Sequence, residues 1–179
     1  MTMTVAFGAS LSTNSINRQL ARYAGDLLAL EVMTTEVKVL DLNDYPAPLY
    51  SIDLEKADGI PATAKAFRSE LQAADNIIIS FAEHNGAYTA GWKSLFDWMS
   101  RLEGKVFSGQ RVLALSTSPG GRGGKTVLSI AAGALPFHGA ELIGQMSVPK
   151  FYDVFDPEQG KLTDAALRED LLGQLRAFA

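Results

Sequence analysis

The stretch NIIISFA, residues 76–82, decides the fold class of this 179-residue chain. Its three consecutive isoleucines leave no polar face, which is typical of a strand buried on both sides within a parallel sheet. Other short β-branched or apolar runs predict further strands at 3–7, 35–40, 111–116 and, with Gly144 interrupting the pattern, 140–147. The chain is therefore expected to form a sheet of five strands.

Between these runs lie longer stretches in which apolar residues recur every three or four positions, as expected of helices. The first has its apolar face at Ile16, Leu20, Tyr23 and Leu27, and similar faces predict helices at 62–73, 92–99, 127–134 and 167–178. This alternation indicates a doubly wound α/β fold, with helices on both faces of a parallel sheet. We expect one domain over residues 1–179, in which 41–61 is the one long loop.

Composition excludes several classes of function. The net charge is −4, and the sixteen Lys and Arg residues form no stripe, so we expect no nucleic-acid partner. The chain has no cysteine, which removes disulfides and thiolate chemistry and agrees with a reducing compartment. No uncharged run approaches the roughly 20 residues of a membrane span, and the N-terminus does not resemble a signal peptide. We expect a cytoplasmic protein with no membrane partner and no metal site.

In a doubly wound sheet the ligand binds beyond the carboxyl ends of the strands, where the strand order reverses. This rule directs attention to the loops after strands one, three and four, which lie at 8–15, 82–91 and 117–124. These loops also have the least ordinary composition in the chain. They are the candidate binding site.

The first of these loops lies within FGASLSTNSIN, residues 7–17, and is rich in hydroxyls but contains no cation. Small polar residues before a helix allow an anion to approach unpaired backbone N–H groups, so the loop is interpreted as a phosphate site. An ordinary helix cap at Asn14 or Ser15 is the alternative. Both GxxxxGK[ST] and GxGxxG are absent, which leaves a monophosphate such as that of FMN.

The three loops together resemble the NADPH-dependent FMN reductase family, the flavodoxin-like quinone, chromate and azo-dye reductases. Residues 10–17 follow the family's phosphate motif GSxRxxSxN, except that Ser12 stands where the family has arginine. AEHNGAYTAGWKSLFDWMSR, residues 82–101, is similar to PEYNxSxPGxLKNxxDWxSR, with His84 in place of tyrosine. STSPGGRGG, residues 116–124, resembles the family's SPGGxGG turn.

The resemblance implies a flavodoxin-like sheet of strand order 2-1-3-4-5 that binds FMN and uses NADPH or NADH as co-substrate. It implies a hydride passed through flavin to quinones, free flavins, azo compounds or metal oxyanions, with no catalytic acid or base. It also implies a homodimer, which could pair into a homotetramer. The implied FMN-binding residues are Ser10, Ser12, Ser15, Ile16, Asn17, Ala82, Glu83, His84, Asn85, Gly86, Ser118, Pro119, Gly120 and Gly121.

Two other functions remain open at this point. A flavodoxin-like electron carrier would bind FMN without reductase activity, and a degenerate family member would be a non-enzymatic interaction protein. The missing arginine at Ser12 motivates the second. The choice between NADH and NADPH also stays open. So does the role of Arg122, which is interpreted as a contact for a phosphate of the nicotinamide cofactor, as a partner for an acid of a neighbouring subunit, or as a surface arginine with neither role. On the helix at 92–99, Trp92, Phe96 and Trp98 are spaced too widely for one buried stripe, so part of that helix is expected to face something other than the core. Core packing alone is the alternative.

Overall fold

A computed structural model describes residues 2–179. Its central sheet consists of five parallel strands, which are β1 (Thr2–Ala9), β2 (Thr35–Leu40), β3 (Asn76–Phe81), β4 (Arg111–Thr117) and β5 (Glu141–Val148). The order across the sheet is β2-β1-β3-β4-β5. This order confirms the predicted flavodoxin-like topology, in which the strand sequence reverses between β1 and β3.

The central strand β3 shows why an uninterrupted apolar run belongs here. All six of its residues are buried, and it pairs with β1 on one side and β4 on the other. Ile77 and Ile79 belong to the apolar layer on one face of the sheet, whereas Ile78 belongs to the layer on the opposite face. A strand with helices on both faces has no side that a polar residue could occupy at low cost.

Helices cover both faces of the sheet. They are α1 (Ile16–Glu31), α2 (Ile52–Asp58), α3 (Ala62–Ala73), α4 (Ala90–Met99), α5 (Lys125–Ala134) and α6 (Ala165–Leu175). Buried residues of α3, α4 and α5 form the apolar layer on one face, and those of α1 and α6 form the other. Along residues 2–179, no helix combines the length and hydrophobicity that crossing a bilayer requires. The single-domain prediction remains a prediction.

The segment 41–61 was predicted to be one long loop, and this prediction was wrong. It contains a short 3₁₀ turn (Leu42–Asp44) and the two-turn helix α2, which Ser51 caps by accepting a hydrogen bond from the Leu54 N–H. None of the α2 residues is buried. Because α2 has no buried face, it lacks the apolar periodicity from which helices are predicted.

The segment also explains the wide spacing of the tryptophans on α4. Trp92 and Trp98 are both about 1% exposed, so both are buried within this chain. Trp92 packs against Phe7 in the core, whereas the Trp98 Nε1–H donates to the Pro48 carbonyl at 2.8 Å. Helix α4 therefore lies between the sheet and the segment around Pro48. Both tryptophans belong to the apolar layer on one face of the sheet, so packing within the chain accounts for their spacing.

Candidate functional site

The three loops after β1, β3 and β4 converge on one cleft of about 210 Å³ at the carboxyl edge of the sheet. It is lined by Ser10, Ser12, Asn14, Ser15, Ile16, Asn17, Ala82, Glu83, His84, Thr117, Ser118, Pro119 and Tyr152. Four of the predicted FMN-binding residues are not among these, namely Asn85, Gly86, Gly120 and Gly121. They occupy the turns immediately beyond the lining residues.

Gly8 brings the first turn of α1 directly against the end of β1. A Cβ atom at this position would lie 2.4 Å from the Arg18 backbone nitrogen, closer than any real contact. Because glycine has no side chain, the first turn of the helix can cross the strand at this distance. The N-terminus of α1, with its unpaired N–H groups, is thereby directed at the cleft.

The backbone of the first loop has N–H groups that make no hydrogen bond within residues 2–179. The loop's own bonds use the N–H of Ser12, which donates to Ser10 Oγ at 3.1 Å, and that of Ser15, which donates to the Ser12 carbonyl at 3.1 Å. Within residues 2–179, no protein acceptor pairs with the N–H groups of Thr13, Asn14, Ile16 and Asn17. Such a set of donors with neighbouring hydroxyls suits a phosphate.

No lysine or arginine lines the cleft among the residues that the structure describes. Arg18, in the first turn of α1, donates from its guanidinium to the Thr13 carbonyl at 2.6 Å and forms an ion pair with Asp41. Asp41 also accepts from the Asn43 N–H at 3.0 Å. Arg18 therefore stabilises the loop through the Thr13 carbonyl, and Asp41 neutralises its charge. A phosphate in the cleft would be held by amides and hydroxyls.

Asn17 connects three elements beneath the cleft. Its Oδ1 accepts from the Ser80 hydroxyl at 2.7 Å and from the Thr117 N–H at 3.0 Å, and its Nδ2 donates to the Thr117 carbonyl at 3.2 Å. The residue is about 3% exposed. These bonds fix the start of α1 against the ends of β3 and β4. The side chain of Asn17 is thus engaged by the protein, and its backbone N–H is the group available to a ligand.

The second loop is a small hairpin in which Glu83–His84 pair with Ala87–Tyr88. Asn85 and Gly86 form its tip with φ of 53° and 77°, the positive values of a type I′ turn, which Asn-Gly favours. His84 is exposed at the cleft rim. Burial raises the pKa of the Tyr88 phenol to about 12, so this phenol stays neutral and protonated at physiological pH.

Glu83 ties the second loop to the third. Its carboxylate accepts a hydrogen bond from the Val127 N–H at 2.9 Å, in the first turn of α5. The N-cap of that helix is Gly124, which offers no side chain for capping. An acid beside the N-terminus of a helix satisfies an unpaired donor and interacts favourably with the helix dipole. Glu83 therefore positions the hairpin through its carboxylate.

In the third loop, the glycines that the backbone requires are Gly123 and Gly124, which belong to the quoted SPGGxGG turn but were not among the predicted FMN-binding residues. Both have positive φ, and a Cβ at Gly123 would lie 2.4 Å from Ser147 Oγ and 2.9 Å from the Pro149 nitrogen. The Gly123 carbonyl accepts from the Ser116 hydroxyl at 2.7 Å. A glycine pair directly before a helix was the available signal.

Two further lining residues were not among the predicted FMN-binding residues: Thr117, which lies within the predicted third loop, and Tyr152, which lies outside all three loops. Tyr152 comes from a one-turn helix, Phe151–Val154, that follows β5. The Lys150 N–H donates to the Gly120 carbonyl at 3.0 Å, and the Phe151 N–H donates to the Ser118 carbonyl at 3.1 Å. These two bonds join the segment to the third loop. No sequence motif indicated this contact.

The donor chemistry of the lining residues fits a phosphate monoester such as that of FMN. Pockets that enclose a drug-sized ligand typically measure about 300–1,000 Å³, so a cleft of about 210 Å³ would leave part of a flavin outside. One ring face would then stay accessible to a second molecule. Within residues 2–179, no group of three or more His, Cys, Asp or Glu side chains could hold a metal ion.

Comparison with known proteins also indicates a flavin-dependent reductase. The family described as NADPH-dependent FMN reductase matches residues 2–153. A quinone reductase from Escherichia coli K12 is 31% identical over 148 residues, covering 78% of this chain and 77% of that protein. An NAD(P)H-dependent FMN reductase from Pseudomonas aeruginosa is 30% identical over 133 residues, covering 73% of this chain and 71% of that protein.

Among solved structures, the flavoenzyme NAD(P)H:acceptor oxidoreductase FerB from Paracoccus denitrificans has a TM-score of 0.75 to this chain. The match covers 99% of this chain and 95% of that one at 24% sequence identity, and it supports the fold. The sequence match over residues 2–153, together with relatives of 30% identity or more, establishes the family. This chain belongs to the NADPH-dependent FMN reductase family of enzymes, with FMN as cofactor and NAD(P)H as co-substrate.

Proposed function

We propose that this chain is an FMN-dependent NAD(P)H oxidoreductase whose first acceptor class is quinones. The observation that supports this most directly is the convergence of the three switch-point loops on one cleft with unpaired backbone donors. The relative from Escherichia coli is named a quinone reductase, which favours that acceptor class. Free flavins, azo compounds and metal oxyanions belong to the wider proposal.

The protein's own part is binding and orientation. The N–H groups of Thr13, Asn14, Ile16 and Asn17, with the hydroxyls of the loop, would hold the phosphate of FMN. Residues 82–84 and 118–119 would hold the ring system between the second and third loops. When bound, FMN supplies hydride transfer from NAD(P)H to the acceptor. No acid or base of the chain is assigned to the reaction.

An open ring face supports broad acceptor choice. A shallow cleft would admit nicotinamide and acceptor in turn, because neither needs to enter an enclosed chamber. The chain would then exclude water poorly and discriminate acceptors mainly by stacking. His84 and Tyr152, both exposed at the rim, are the side chains we assign to this contact.

The test is to titrate the purified chain with FMN, following quenching of flavin fluorescence, and then to supply NADPH and benzoquinone. We expect saturable FMN binding and steady NADPH oxidation that requires both FMN and the quinone. Binding without turnover would support the electron carrier instead. Failure to bind FMN would support the non-enzymatic alternative and contradict the proposal.

We also propose a homodimer, with pairing into a homotetramer as the alternative assembly. The prediction comes from the family resemblance. Exposed apolar side chains, among them Leu49 and Ile52, are available on the segment that covers α4. A cytoplasmic location remains a prediction from the sequence.

A further inference from the structure

A second cavity borders the first loop, and none of the described residues that line it is charged. It measures about 190 Å³ and is lined by Leu11, Leu42, Asn43, Tyr45, Pro46, Ala47, Gly91 and Leu95. These residues come from the first loop, from the segment after β2 and from α4, so we call it the α4 cavity. It shares no lining residue with the cleft, whose lining is mostly hydroxyl and amide groups and includes the Glu83 carboxylate. The two sites are therefore expected to take different ligands.

The α4 cavity suits a neutral ring. Leu42 and Leu95 are about 1% and 2% exposed, so they form its inner end, whereas Asn43 is exposed and offers an amide at the entrance. Burial, together with the nearby Glu70 carboxylate, raises the pKa of the Tyr45 phenol, so the lining stays uncharged at physiological pH. An apolar cavity of about 150 Å³ holds benzene, so this one has room for a single six-membered ring. A charged ligand would lose its hydration there without gaining a partner.

Leu11 connects the α4 cavity to the first loop. Its neighbours Ser10 and Ser12 line the cleft, whereas Leu11 itself lines the cavity. A Cβ atom on Gly91 would lie 2.4 Å from Leu11 Cδ1, so the leucine lies directly on the backbone at the start of α4. Leu11 is nevertheless 48% exposed. A ring in the cavity would cover more of this side chain and add packing contacts that hold the first loop in place.

A series of polar contacts connects the entrance of the cavity to the same loop. Asn43 donates to Asp41 Oδ1 from its Nδ2 at 2.8 Å and from its backbone N–H at 3.0 Å. Asp41 forms an ion pair with Arg18, whose guanidinium donates to the Thr13 carbonyl at 2.6 Å. The Thr13 N–H is one of the cleft donors without a protein acceptor within residues 2–179. A ligand that contacts Leu11 and Asn43 therefore touches both groups that support the loop.

We propose that the α4 cavity binds a neutral single-ring phenol or quinone, and that its occupancy tightens FMN binding. The ligand class follows from the uncharged lining, because FMN and NAD(P)H carry phosphate charges, whereas a quinone and the hydroquinone formed from it are neutral. The coupling rests on the proposed function, since it requires the FMN phosphate at the first loop. A ring in the cavity and a phosphate in the cleft hold the same loop, so each raises the affinity for the other by the same factor.

The experiment measures the Kd for FMN by calorimetric titration, with and without saturating 4-methylphenol. We expect the phenol to lower this Kd by about fivefold, near the lower end of coupling between two sites. NMR signals of leucine methyl groups report phenol binding to the FMN-loaded and FMN-free chain. They should give the reciprocal change in phenol affinity and shift at Leu11, Leu42 and Leu95. The anion 4-hydroxybenzoate has the same ring with a charge, and it should neither shift these signals nor change the Kd for FMN.

Two variants test whether the coupling belongs to the α4 cavity. Leu11→Ala removes the side chain that the cavity and the loop share, so the phenol should still bind but leave the Kd for FMN nearly unchanged. Ala47→Leu fills part of the cavity and should weaken phenol binding by about tenfold or more. Leu54→Ala is the matched control, because Leu54 is a leucine 37% exposed that does not line the cavity, and it should retain the full coupling.

The outcomes separate this inference from the proposed function. Absence of saturable phenol binding would overturn the inference, and so would equal binding of 4-hydroxybenzoate. Coupling that persists in both Leu11→Ala and Ala47→Leu would show that the phenol stacks on the flavin instead. Phenol binding with an unchanged Kd for FMN would leave the reductase intact and overturn the coupling. Failure of the unmodified chain to bind FMN would remove the proposed function itself, while the leucine methyl signals would still test the ligand class.

Discussion

Ser12 is the residue at which this chain departs most clearly from the phosphate motif of its family. Ser12 is exposed at the cleft, so an arginine there has room to reach a bound phosphate. We predict that Ser12→Arg tightens FMN binding by about 1 kcal/mol or more, because a charge-assisted contact exceeds one from a neutral hydroxyl. Flavin fluorescence titration measures the change. Ser12→Gln is the control for side-chain size without charge, and an unchanged affinity for the arginine variant would contradict the phosphate position.

His138, in the turn that follows α5, gives a pH-dependent contribution to stability. Burial, with repulsion from Lys105, lowers the pKa of its imidazole, and Asp97 opposes the shift. The ring packs edge-on against Phe96 with centroids 4.7 Å apart. The folded state disfavours the protonated imidazole. Once the pH falls below the ordinary histidine pKa of about 6.5, the unfolded chain therefore takes up a proton more readily than the folded chain.

We therefore predict that the free energy of unfolding falls as the pH is lowered from 7.5 through about 6.5, and that His138→Gln falls less steeply. Urea unfolding at pH 7.5, 6.5 and 5.5 gives the comparison. Above about pH 7 both states hold the imidazole neutral, so the residue contributes no slope there. Identical pH dependence in the variant and the unmodified chain would contradict the assignment to His138.

The connection from β4 to α5 depends on backbone dihedral angles that only glycine adopts without strain. We predict that Gly123→Ala destabilises the chain by about 2–4 kcal/mol, from positive φ and from contact with Ser147 and Pro149. Gly160→Ala has a similar φ of 62° but no atom within 4 Å of its new Cβ, so it should cost about 1 kcal/mol. Urea unfolding of both variants separates the contact from the conformation, and equal losses would refute the role of the contact.

Helices that pack against the sheet were predictable, and α2, which buries no residue, was not. The three central strands, β1, β3 and β4, are near-continuous apolar runs because both of their faces are covered. Helix α1 has its apolar stripe because one side faces β1 and β3. Helix α2 buries no residue and so leaves no periodic signal. The second role of Trp98 was equally hidden, because its partner is the Pro48 carbonyl of a distant, irregular segment.

The topology of the sheet allowed the three loops of the candidate site to be located from the sequence. The rule for switch points identified three loops, because the carboxyl ends of β1, β3 and β4 meet at one edge. Tyr152 could not be found this way, since its segment joins the cleft through backbone bonds to Ser118 and Gly120. Backbone bonds depend on no particular side chain and leave no motif.

The apolar surface of the segment over α4 supports the prediction about assembly. Leu49 is 72% exposed and Ile52 is 54% exposed, although they lie only three positions apart. We predict that the FMN-loaded chain sediments at twice its mass of 19.2 kDa, and that the double variant Leu49→Glu, Ile52→Glu sediments as a monomer, because charge is costly to bury in an interface. Leu30→Glu, at a leucine 82% exposed on α1, should remain dimeric. A monomeric unmodified chain at micromolar concentration would contradict the prediction, and a monomer from Leu30→Glu alone would place the interface on α1 instead.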